Sequence, residues 1–420
     1  MEASLKNEET MEELKLSSCP KKYLIGTHRA LEPEKTLESI KPKLATIGVT
    51  RVSDITGLDR VGIPVYSCVR PRASEGAISV YSGKGVTSTL AEISAIMEAI
   101  ERFSAEVKPQ NEYRMVKGSY KELSLRYNVL DPSHLILPSS TPYTRSSTLR
   151  WIEGFDIANG EKILVPVSAV FHPYSPNDDL HIFRTNTNGL ASGNTLEEAI
   201  LHGLMEVIER DAWSLAELSK QGGKIIEVPE SCQLVKSLMW KFEKESIKVI
   251  LRNITSDLGV PVIAAVSDDL KLRDPALLTI GFGAHLDPEI AAIRALLEVA
   301  QSRLVQIQGI REDAYRASLM RIVGYDKIKQ FNKHWFSEDD DAESLFRIPN
   351  SSKHDILDEI KLVIDILKKR GFERAIIVNL TRPEVAVPTV RVIVPGLEVY
   401  GIDQDRIGSR GRECLKSKKR

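Results

Sequence analysis

The chain has 420 residues, 42% of them hydrophobic, and its 57 basic and 58 acidic residues leave a formal net charge of −1. Such a chain can fold into one large domain or a few smaller ones, and it lacks the basic excess that favours nucleic acid or an anionic membrane. No apolar run approaches the roughly 20 residues of a membrane-spanning helix. Because the four cysteines are scattered without metal-binding spacing, we expect a cytoplasmic protein with reduced thiols.

The N-terminal half alternates predicted helices with β-rich segments. Residues 1–20 have the composition of a frayed polar arm, and a strong helix is predicted at 88–107, where good helix formers follow a capping Ser or Thr. A hairpin is predicted at 151–173 because Asn159-Gly160 is a strong turn signal. The other predictions are a helix at 34–49, two β-rich runs at 51–71, a strand at 77–83 and a turn-rich stretch at 115–150.

The C-terminal half contains further helices, predicted at 195–218, 288–309 and 355–371. The polar, charged stretch at 327–353 is predicted to be a loop or a mobile insert. Strands are predicted at 260–269, 276–286, 373–380 and 390–396. This order indicates an α/β or α+β fold with a mixed or antiparallel sheet packed against helices. We expect an arm and small segment at 1–60, a catalytic domain at 61–410 and a basic tail at 411–420.

Two of the predicted helices share a short sequence. MEAIER at 97–102 and MEVIER at 205–210 differ at one position. The match suggests an internal repeat with pseudo-twofold symmetry. The alternative is that both segments simply have good helical composition.

The helix at 88–107 carries a narrow polar stripe. At about 100° per residue, Ser94, Glu98, Glu101 and Arg102 fall within a sector of roughly 100°. The other positions are mostly apolar, which predicts a largely buried helix. Charges on a buried helix are costly unless they are paired or bound to a cation. The stripe therefore favours a ligand site over a solvated charged face.

The helix at 195–218 repeats this arrangement. Glu198, Glu206 and Glu209 share a broad stripe with Asn194, and Arg210 lies at its edge. The preceding polar, glycine-containing stretch adds Ser192 as a candidate ligand contact, since glycines allow backbone to approach a ligand closely. The alternative is that this stretch caps the helix, with Asn194 or Thr195 as the N-cap, and both roles can hold together.

The helix at 288–309 presents Arg294, Glu298 and Gln301 on one face. Arg303 points about 140° away from Glu298, so helix geometry favours an ion pair for it over a ligand contact. Neither His202 nor His285 has a partner at metal-binding spacing, and we expect both to be structural.

Several carboxylates with arginines on three helices suit Mg²⁺ bound to a polyphosphate. Mg²⁺ prefers oxygen ligands and usually shares them with phosphates, which also require cationic contacts. A di-iron site is excluded because none of the three helices has the Glu-x-x-His pair. Residues 82–85 (SGKG) resemble part of a phosphate loop but do not complete it, and Gly281-Phe-Gly283 is too short for a dinucleotide motif.

These motifs resemble the YcaO family in order and spacing, over roughly residues 64–398. They are Ser94-x3-Glu98-x2-Glu101-Arg102, then Ser192-x-Asn194-x3-Glu198 with Glu206-x2-Glu209-Arg210, and Glu298-x2-Gln301-x-Arg303. The resemblance implies ATP and Mg²⁺ as cofactors. We assign ATP binding to Lys84, Ser94, Arg102, Ser192, Asn194, Arg210, Gln301 and Arg303. We assign metal binding to Glu98, Glu101, Glu198, Glu206, Glu209 and Glu298, and no catalytic side chain is identified.

The resemblance also implies a reaction, in which a peptide amide oxygen attacks the γ-phosphate of ATP. The activated amide then becomes an azoline, a thioamide or an amidine. The chain ends LKSKKR, without the proline-rich tail of many azoline-forming members, and residues 21–40 and 55–71 resemble archaeal, methanogen-type members. We therefore expect thioamidation of a glycine in the α subunit of methyl-coenzyme M reductase. The expected partners are an external sulfide source, a TfuA-like protein and a second copy of the chain.

Two alternatives remain open from the sequence. One is an azoline-forming cyclodehydratase that acts on a ribosomal peptide, and the other is a non-catalytic nucleotide-binding accessory protein. The first predicts dehydration of Cys, Ser or Thr without sulfide, and the second predicts ATP binding without hydrolysis.

Overall fold

The structure is a computed structural model that describes residues 14–108, 114–175, 180–309, 315–338 and 341–417. The first 13 residues of the predicted arm and the last three of the predicted basic tail lie outside these ranges. Across the described ranges, no helix has the length and apolar character that crossing a membrane requires.

Strands in the described ranges form three sheets. The first sheet has the order β1-β2-β3, with β1 Arg51–Asp54, β2 Val65–Val69 and β3 Val80–Lys84. The second has the order β4-β5-β13-β14-β7, with β6 also paired to β5: β4 Val116–Ser119, β5 Thr148–Asp156, β6 Glu161–Pro166, β7 Leu190–Ser192, β13 Ile376–Asn379 and β14 Thr389–Ile393. The third has the order β11-β10-β9-β8-β12: β8 Lys224–Glu227, β9 Ile247–Asn253, β10 Val262–Asp269, β11 Ile280–Ala284 and β12 Ala342–Ser344.

Three long helices, α2 Ser88–Ala105, α4 Leu196–Ser219 and α6 Pro288–Gln308, pack on these sheets. The remaining helices are α1 Pro33–Ile40, α3 Tyr120–Leu123, α5 Gln233–Glu243, α7 Tyr315–Val323, α8 Tyr325–Phe331, α9 Lys333–Phe336, α10 Ile356–Lys369 and α11 Ser409–Ser417. Short 3-10 helices are Lys41–Lys43, Thr56–Leu58, Pro132–Leu135, Val167–Ala169, Pro275–Leu277 and Leu345–Arg347. Since β12 pairs with β8 in parallel and the other pairs are antiparallel, the predicted mixed α+β class is confirmed.

Each long helix directly follows a strand at the edge of a different sheet: β3 precedes α2, β7 precedes α4 and β11 precedes α6. The predicted repeat at 97–102 and 205–210 lies in α2 and α4. Glu298 and Gln301 have the same spacing in α6, so the molecule contains a third such strand–helix unit. We call these the first, second and third units.

Glycines bring two of the helices unusually close to their own strands. A Cβ added to Gly83 would lie 1.9 Å from the Ala95 nitrogen, and one added to Gly283 would lie 2.2 Å from the Ala291 carbonyl oxygen. Any larger residue would push α2 or α6 away from its strand. The glycines that resembled nucleotide motifs therefore have a packing role.

Several local predictions are confirmed, including the hairpin formed by β5 and β6 and the three long helices. The helix predicted at 34–49 ends earlier, at Ile40, and continues as a 3-10 turn containing Pro42, which has no N–H for a helical hydrogen bond. Strand β1 lies before the predicted boundary at residue 61 and pairs with β2 beyond it.

The predicted loop or mobile insert at 327–353 is wrong for the described residues. Helices α8 and α9 and strand β12 occupy much of it. Trp335 is fully buried, and its carbonyl accepts a 2.8 Å hydrogen bond from Nε of the buried Arg252. Although the segment is rich in charged residues, a few buried apolar side chains, including Trp335 and Leu345, pack it against the core.

Candidate functional site

A cavity of about 660 Å³ lies between α2, α4 and α6. All but one of the residues assigned to the site line it. Those from the ATP-binding group are Lys84, Ser94, Arg102, Ser192, Asn194, Arg210 and Gln301, and those from the metal-binding group are Glu98, Glu101, Glu198, Glu206, Glu209 and Glu298. The prediction that the three helix stripes converge is thus confirmed, while the role of each side chain stays a prediction.

Helix α2 begins after Thr87, whose side chain accepts a hydrogen bond from the Leu90 N–H. Two turns further along, Glu98 Oε1 lies 3.1 Å from Arg102 Nη2. Glu101 Oε1 accepts hydrogen bonds from the backbone N–H and hydroxyl of Ser192, at 2.9 and 2.7 Å. The first unit therefore directs one carboxylate to an arginine and the other to the second unit.

The carboxylates of α4 are held mainly by backbone N–H groups. Glu198 accepts from the Ala30 N–H at 2.9 Å and from the Asn194 side-chain amide at 3.1 Å. Glu206 accepts from the Gly189 N–H at 3.1 Å, and Glu209 from the Ala284 N–H at 3.0 Å. Backbone donors orient these carboxylates without neutralising their charge.

On the opposite wall, Lys84 of β3 reaches two side chains of α6. Its Nζ lies 3.6 Å from Glu298 Oε2 and donates a 2.9 Å hydrogen bond to Gln301 Oε1. The Gln301 amide nitrogen donates to the Ser82 carbonyl. Lys84 thus supplies positive charge to the cavity although it does not belong to a phosphate loop.

Burial raises the pKa values of two carboxylates that line the cavity. Burial raises the pKa of Glu209 to about 7; Arg210 opposes the shift and Glu298 adds to it. Burial likewise raises the pKa of Glu101 to about 8, against the Ser192 hydrogen bond and with the charge of Glu98. Both carboxylates are therefore placed where a bound cation would stabilise their charged forms.

Arg303 is the exception among the assigned ATP contacts, because it does not line the cavity. It is fully buried, with Nε 2.8 Å from Asp59 Oδ2 and Nη2 3.1 Å from Asp269 Oδ2. Its position opposite Glu298 on α6 predicts this ion pair, whereas its assignment to ATP binding came from the motif alone. The structure places it in the core.

An N-terminal segment that the sequence did not assign to the site also lines the cavity. Arg29 Nε lies 3.6 Å from Glu198 Oε1, and the Thr36 hydroxyl donates a 2.8 Å hydrogen bond to Asn194 Oδ1. Apolar side chains add a further part of the lining: Leu31, Pro33, Leu90 and Ile93. No periodic pattern in the sequence connects Arg29 with α4, and only the fold reveals the contact.

Two other residues line the cavity: Arg294, which the sequence placed on one face with Glu298 and Gln301, and His202, which the sequence predicted to be structural. His202 and Arg294 each precede a cavity glutamate by four positions, as Ser94 does, and all three line the cavity. Burial and the charge of Arg294 hold the pKa of His202 well below its usual range, so its ring is neutral. His285 accepts a 2.9 Å hydrogen bond from the Asp287 N–H beside the start of α6.

The donor set fits Mg²⁺ that is shared with a phosphate ligand. Within the described ranges, no three acidic, histidine or cysteine side chains lie close enough together to hold an ion by themselves. Mg²⁺ commonly takes one or two carboxylates and completes its coordination with water and substrate phosphates. The carboxylates around the cavity, with Lys84, Arg210 and Arg294 among them, suit that shared arrangement.

Comparison with known families gives one match that covers most of the chain. The model described as YcaO cyclodehydratase, ATP- and Mg²⁺-binding, matches residues 82–398. An uncharacterized protein of Methanothermobacter thermautotrophicus is 49% identical, over 92% of this chain and 99% of its own length. A protein of Rhizobium leguminosarum bv. trifolii, described as lying in the tfuA 3′ region, is 33% identical over 88% of this chain and 89% of its own.

A solved structure supports the same relationship. The structure of YcaO from Methanopyrus kandleri, bound with AMPPCP and Mg²⁺, has a TM-score of 0.77 and 30% sequence identity, and the match covers 93% of this chain and 98% of that one. A heterocyclase in complex with substrate and cofactor has a TM-score of 0.80 at 22% identity, covering 92% of this chain and 54% of that one. The latter likeness concerns the fold alone.

Proposed function

The chain belongs to the YcaO family of ATP- and Mg²⁺-binding cyclodehydratases, and from this premise we propose that it converts a peptide backbone amide into a thioamide. In the proposed reaction the amide oxygen attacks the γ-phosphorus of ATP and ADP leaves. Sulfide then adds to the activated carbon, and phosphate departs with the original amide oxygen. The products are a thioamide, ADP and phosphate, and no oxidant or reductant is consumed.

The observation that carries ATP-dependent activation is the convergence of carboxylates from three helices, with Lys84, Arg210 and Arg294, on one cavity. Mg²⁺ held here would offset the negative charge of the phosphate chain during transfer of the γ-phosphoryl group. We propose that Glu98, Glu206 and Glu298, which occupy the same position in the three units, share Mg²⁺ with the nucleotide phosphates, with one or two of these carboxylates on each ion. The apolar side chains near the start of α2, including Leu90 and Ile93, suit the face of the adenine base.

The cationic side chains of the cavity are proposed to bind the phosphate chain of ATP. Arg210, whose guanidinium lies 5.3 Å from the Trp213 ring centre, is held on α4 beside Glu209. Arg294 donates a 3.2 Å hydrogen bond to the Ala284 carbonyl and keeps further N–H groups for a phosphate. Together with Lys84 they would orient the phosphate chain and stabilise its transferred group.

The thioamide branch is supported by relatives and by the positions of the cysteines. One relative comes from a methanogen and another lies beside tfuA, in keeping with a TfuA-like partner and a glycine of the methyl-coenzyme M reductase α subunit as target. The cavity lining within the described ranges contains no cysteine, and Cys68 is fully buried. Burial raises its pKa to about 12. Sulfur would therefore come from outside the chain.

The test is mass spectrometry of a glycine-containing peptide after incubation with the protein, ATP, Mg²⁺ and sulfide. We expect one oxygen to be replaced by sulfur, with one ADP formed per modified peptide. Glu298→Gln should abolish the conversion, whereas Glu289→Gln, on the same helix but outside the cavity lining, should retain it.

Each alternative reaction has its own signature in the same experiment. Loss of one water from the peptide without sulfide would place the chain among the azoline-forming enzymes. ATP binding without turnover, on any peptide and with a TfuA-like protein added, would indicate an accessory protein and contradict the proposal.

A further inference from the structure

The three units are joined to one another by equivalent side chains. Glu101, Glu209 and Gln301 each lie three positions after a cavity glutamate in their own helix. Each helix also contacts the edge strand of the next unit: α2 contacts β7, α4 contacts β11, and α6 contacts β3. The third unit thus returns to the first, and the order of contacts is circular.

The side chains make these contacts through hydrogen bonds. Glu101 accepts from the Ser192 N–H at 2.9 Å in β7, and Glu209 accepts from the Ala284 N–H at 3.0 Å in β11. Gln301 donates to the Ser82 carbonyl in β3. Each side chain therefore satisfies a backbone group on an edge strand, where such groups have no neighbouring strand to pair with.

The chemistry of the third contact differs from the other two, and so does the residue. An ionised carboxylate can only accept, which suits the N–H groups of β7 and β11, but it cannot donate to a carbonyl. The Gln301 amide donates to the Ser82 carbonyl with one end and accepts from Lys84 Nζ, at 2.9 Å, with the other. This explains why an amide occupies the position that carries glutamate in the other two units.

We propose that Glu101, Glu209 and Gln301 are positioning residues that close the three units into a ring around the cavity. The contacts to β7 and β11 use one oxygen of each carboxylate, Oε1 of Glu101 and Oε2 of Glu209. The other oxygens face the cavity, where they would act on a cation; Oε1 of Glu209 also lies 3.8 Å from Arg210 Nε. The ring itself is a property of the unliganded protein, and only its effect on nucleotide binding rests on the proposed function.

Paired substitutions separate the hydrogen bond from the charge. Glu209→Gln and Glu209→Met both remove the carboxylate, but only glutamine keeps an acceptor for the Ala284 N–H. Without nucleotide, we expect amide hydrogen exchange in the peptide spanning β11 to be at least about tenfold faster in Glu209→Met, a difference of 1.4 kcal/mol, and nearly unchanged in Glu209→Gln. With Mg²⁺ and ATP, Glu209→Met should also bind more weakly than Glu209→Gln.

The reverse substitution tests the third contact. Gln301→Glu should speed exchange in the peptide spanning β3, because the carboxylate cannot donate to the Ser82 carbonyl. Ser302→Glu adds the same charge at a neighbouring lining position and controls for repulsion, so it should leave β3 protected.

Equal exchange and equal affinity in Glu209→Gln and Glu209→Met would overturn the proposal, as would equal effects of Gln301→Glu and Ser302→Glu on β3. If the wild-type protein does not bind ATP with Mg²⁺, the proposed function fails. The exchange measurements on the unliganded protein still decide whether the ring exists.

Discussion

The protein buries carboxylates in two regions, with opposite effects on their protonation. In the core, Glu106 is fully buried; burial by itself would raise its pKa, but hydrogen bonds from Arg70, Ser74 and Lys108 lower it to about 2. In the cavity, Glu209 is only 6% exposed, yet its pKa is raised to about 7 by burial, with Arg210 opposing the shift. Similar burial thus gives opposite shifts.

The difference lies in the partners that each region provides. Glu106 faces Arg70 and Lys108, and Asp59 and Asp269 face Arg303. Glu206 and Glu209 in the cavity are bonded to backbone N–H groups and lie near other carboxylates. These core ion pairs are complete within the chain, whereas Arg210 Nε approaches Glu209 only to 3.8 Å, and a bound cation would stabilise the charged form of Glu209. The predictions below test that contrast.

The largest expected effect is on a core ion pair. Arg303→Met leaves Asp59 and Asp269 buried without this partner, and we expect the free energy of unfolding to fall by about 3–5 kcal/mol. Urea titration measures the loss. Arg321→Met removes a half-exposed partner of Asp274 and should cost at most about 1 kcal/mol; equal losses in the two variants would show that burial of the pair is unimportant.

The raised pKa values of Glu101 and Glu209 should make the stability of the protein depend on pH. With folded-state pKa values of about 8 for Glu101 and about 7 for Glu209, above the ordinary value near 4.3, the folded state binds more protons than the unfolded state between these limits. Stability of the unliganded protein should therefore fall as pH rises from about 5 to about 8, by about 3 kcal/mol for Glu209 alone.

Urea titrations from pH 5 to pH 8 measure this slope. Glu101→Gln/Glu209→Gln should flatten it, and Mg²⁺ with ATP should reduce it in the wild type. Glu106 acts in the opposite direction: with its pKa lowered to about 2, its contribution is present above its ordinary pKa and is lost as pH falls toward 2. A wild-type slope that the double variant retains would contradict the assignment.

A third prediction is that a cavity substitution lowers ligand affinity, whereas a core substitution lowers folding stability. Glu206→Gln keeps an acceptor for the Gly189 N–H but removes a charge from the cavity, so the affinity for ATP with Mg²⁺ should fall at least about tenfold, or 1.4 kcal/mol, with little loss of stability. Glu106→Gln should lower the free energy of unfolding and leave the affinity for ATP with Mg²⁺ nearly unchanged. Calorimetry measures ATP binding and unfolding for both variants. Equal losses of stability in the two variants would contradict the proposed difference between cavity and core carboxylates.

The smallest expected effect is at the N-terminal segment. Thr36→Val removes the hydroxyl that donates to Asn194, and we expect about 1 kcal/mol of weaker ATP binding. Ser39→Ala removes a hydroxyl that donates to the Thr36 carbonyl and serves as the control. Unchanged affinity in Thr36→Val would show that Asn194 needs no support from this segment.

Helix periodicity was sufficient to predict the carboxylate stripes, because residues three or four positions apart share a helix face whatever the tertiary structure. The same geometry separates Arg303 from Glu298, and the structure places Arg303 in the core. The family motif includes Arg303, and its assignment to ATP binding rested on that motif. Local geometry was the better guide for this side chain.

Contacts between distant parts of the chain could not be predicted in this way. Ala30 and Glu198 are 168 positions apart, and Arg303 and Asp59 are 244 apart. The charged composition of residues 327–353 led to the wrong prediction of a loop or mobile insert. Burial of Trp335 holds this segment against the core despite the charged residues around it. Such contacts depend on how the sheets are arranged, and no spacing along the sequence encodes them.

The circular order of the three units has a consequence for biosynthesis. The contact between Gln301 and Ser82 spans 219 positions, and β7 is paired with β14, which ends at Ile393. Because contacts over long sequence separations form only after the intervening chain is available, a ribosome-bound chain cannot complete these contacts until β14 has emerged. Until then β7, which carries Ser192 of the cavity lining, lacks its partner strand, and the site for ATP and Mg²⁺ is incomplete.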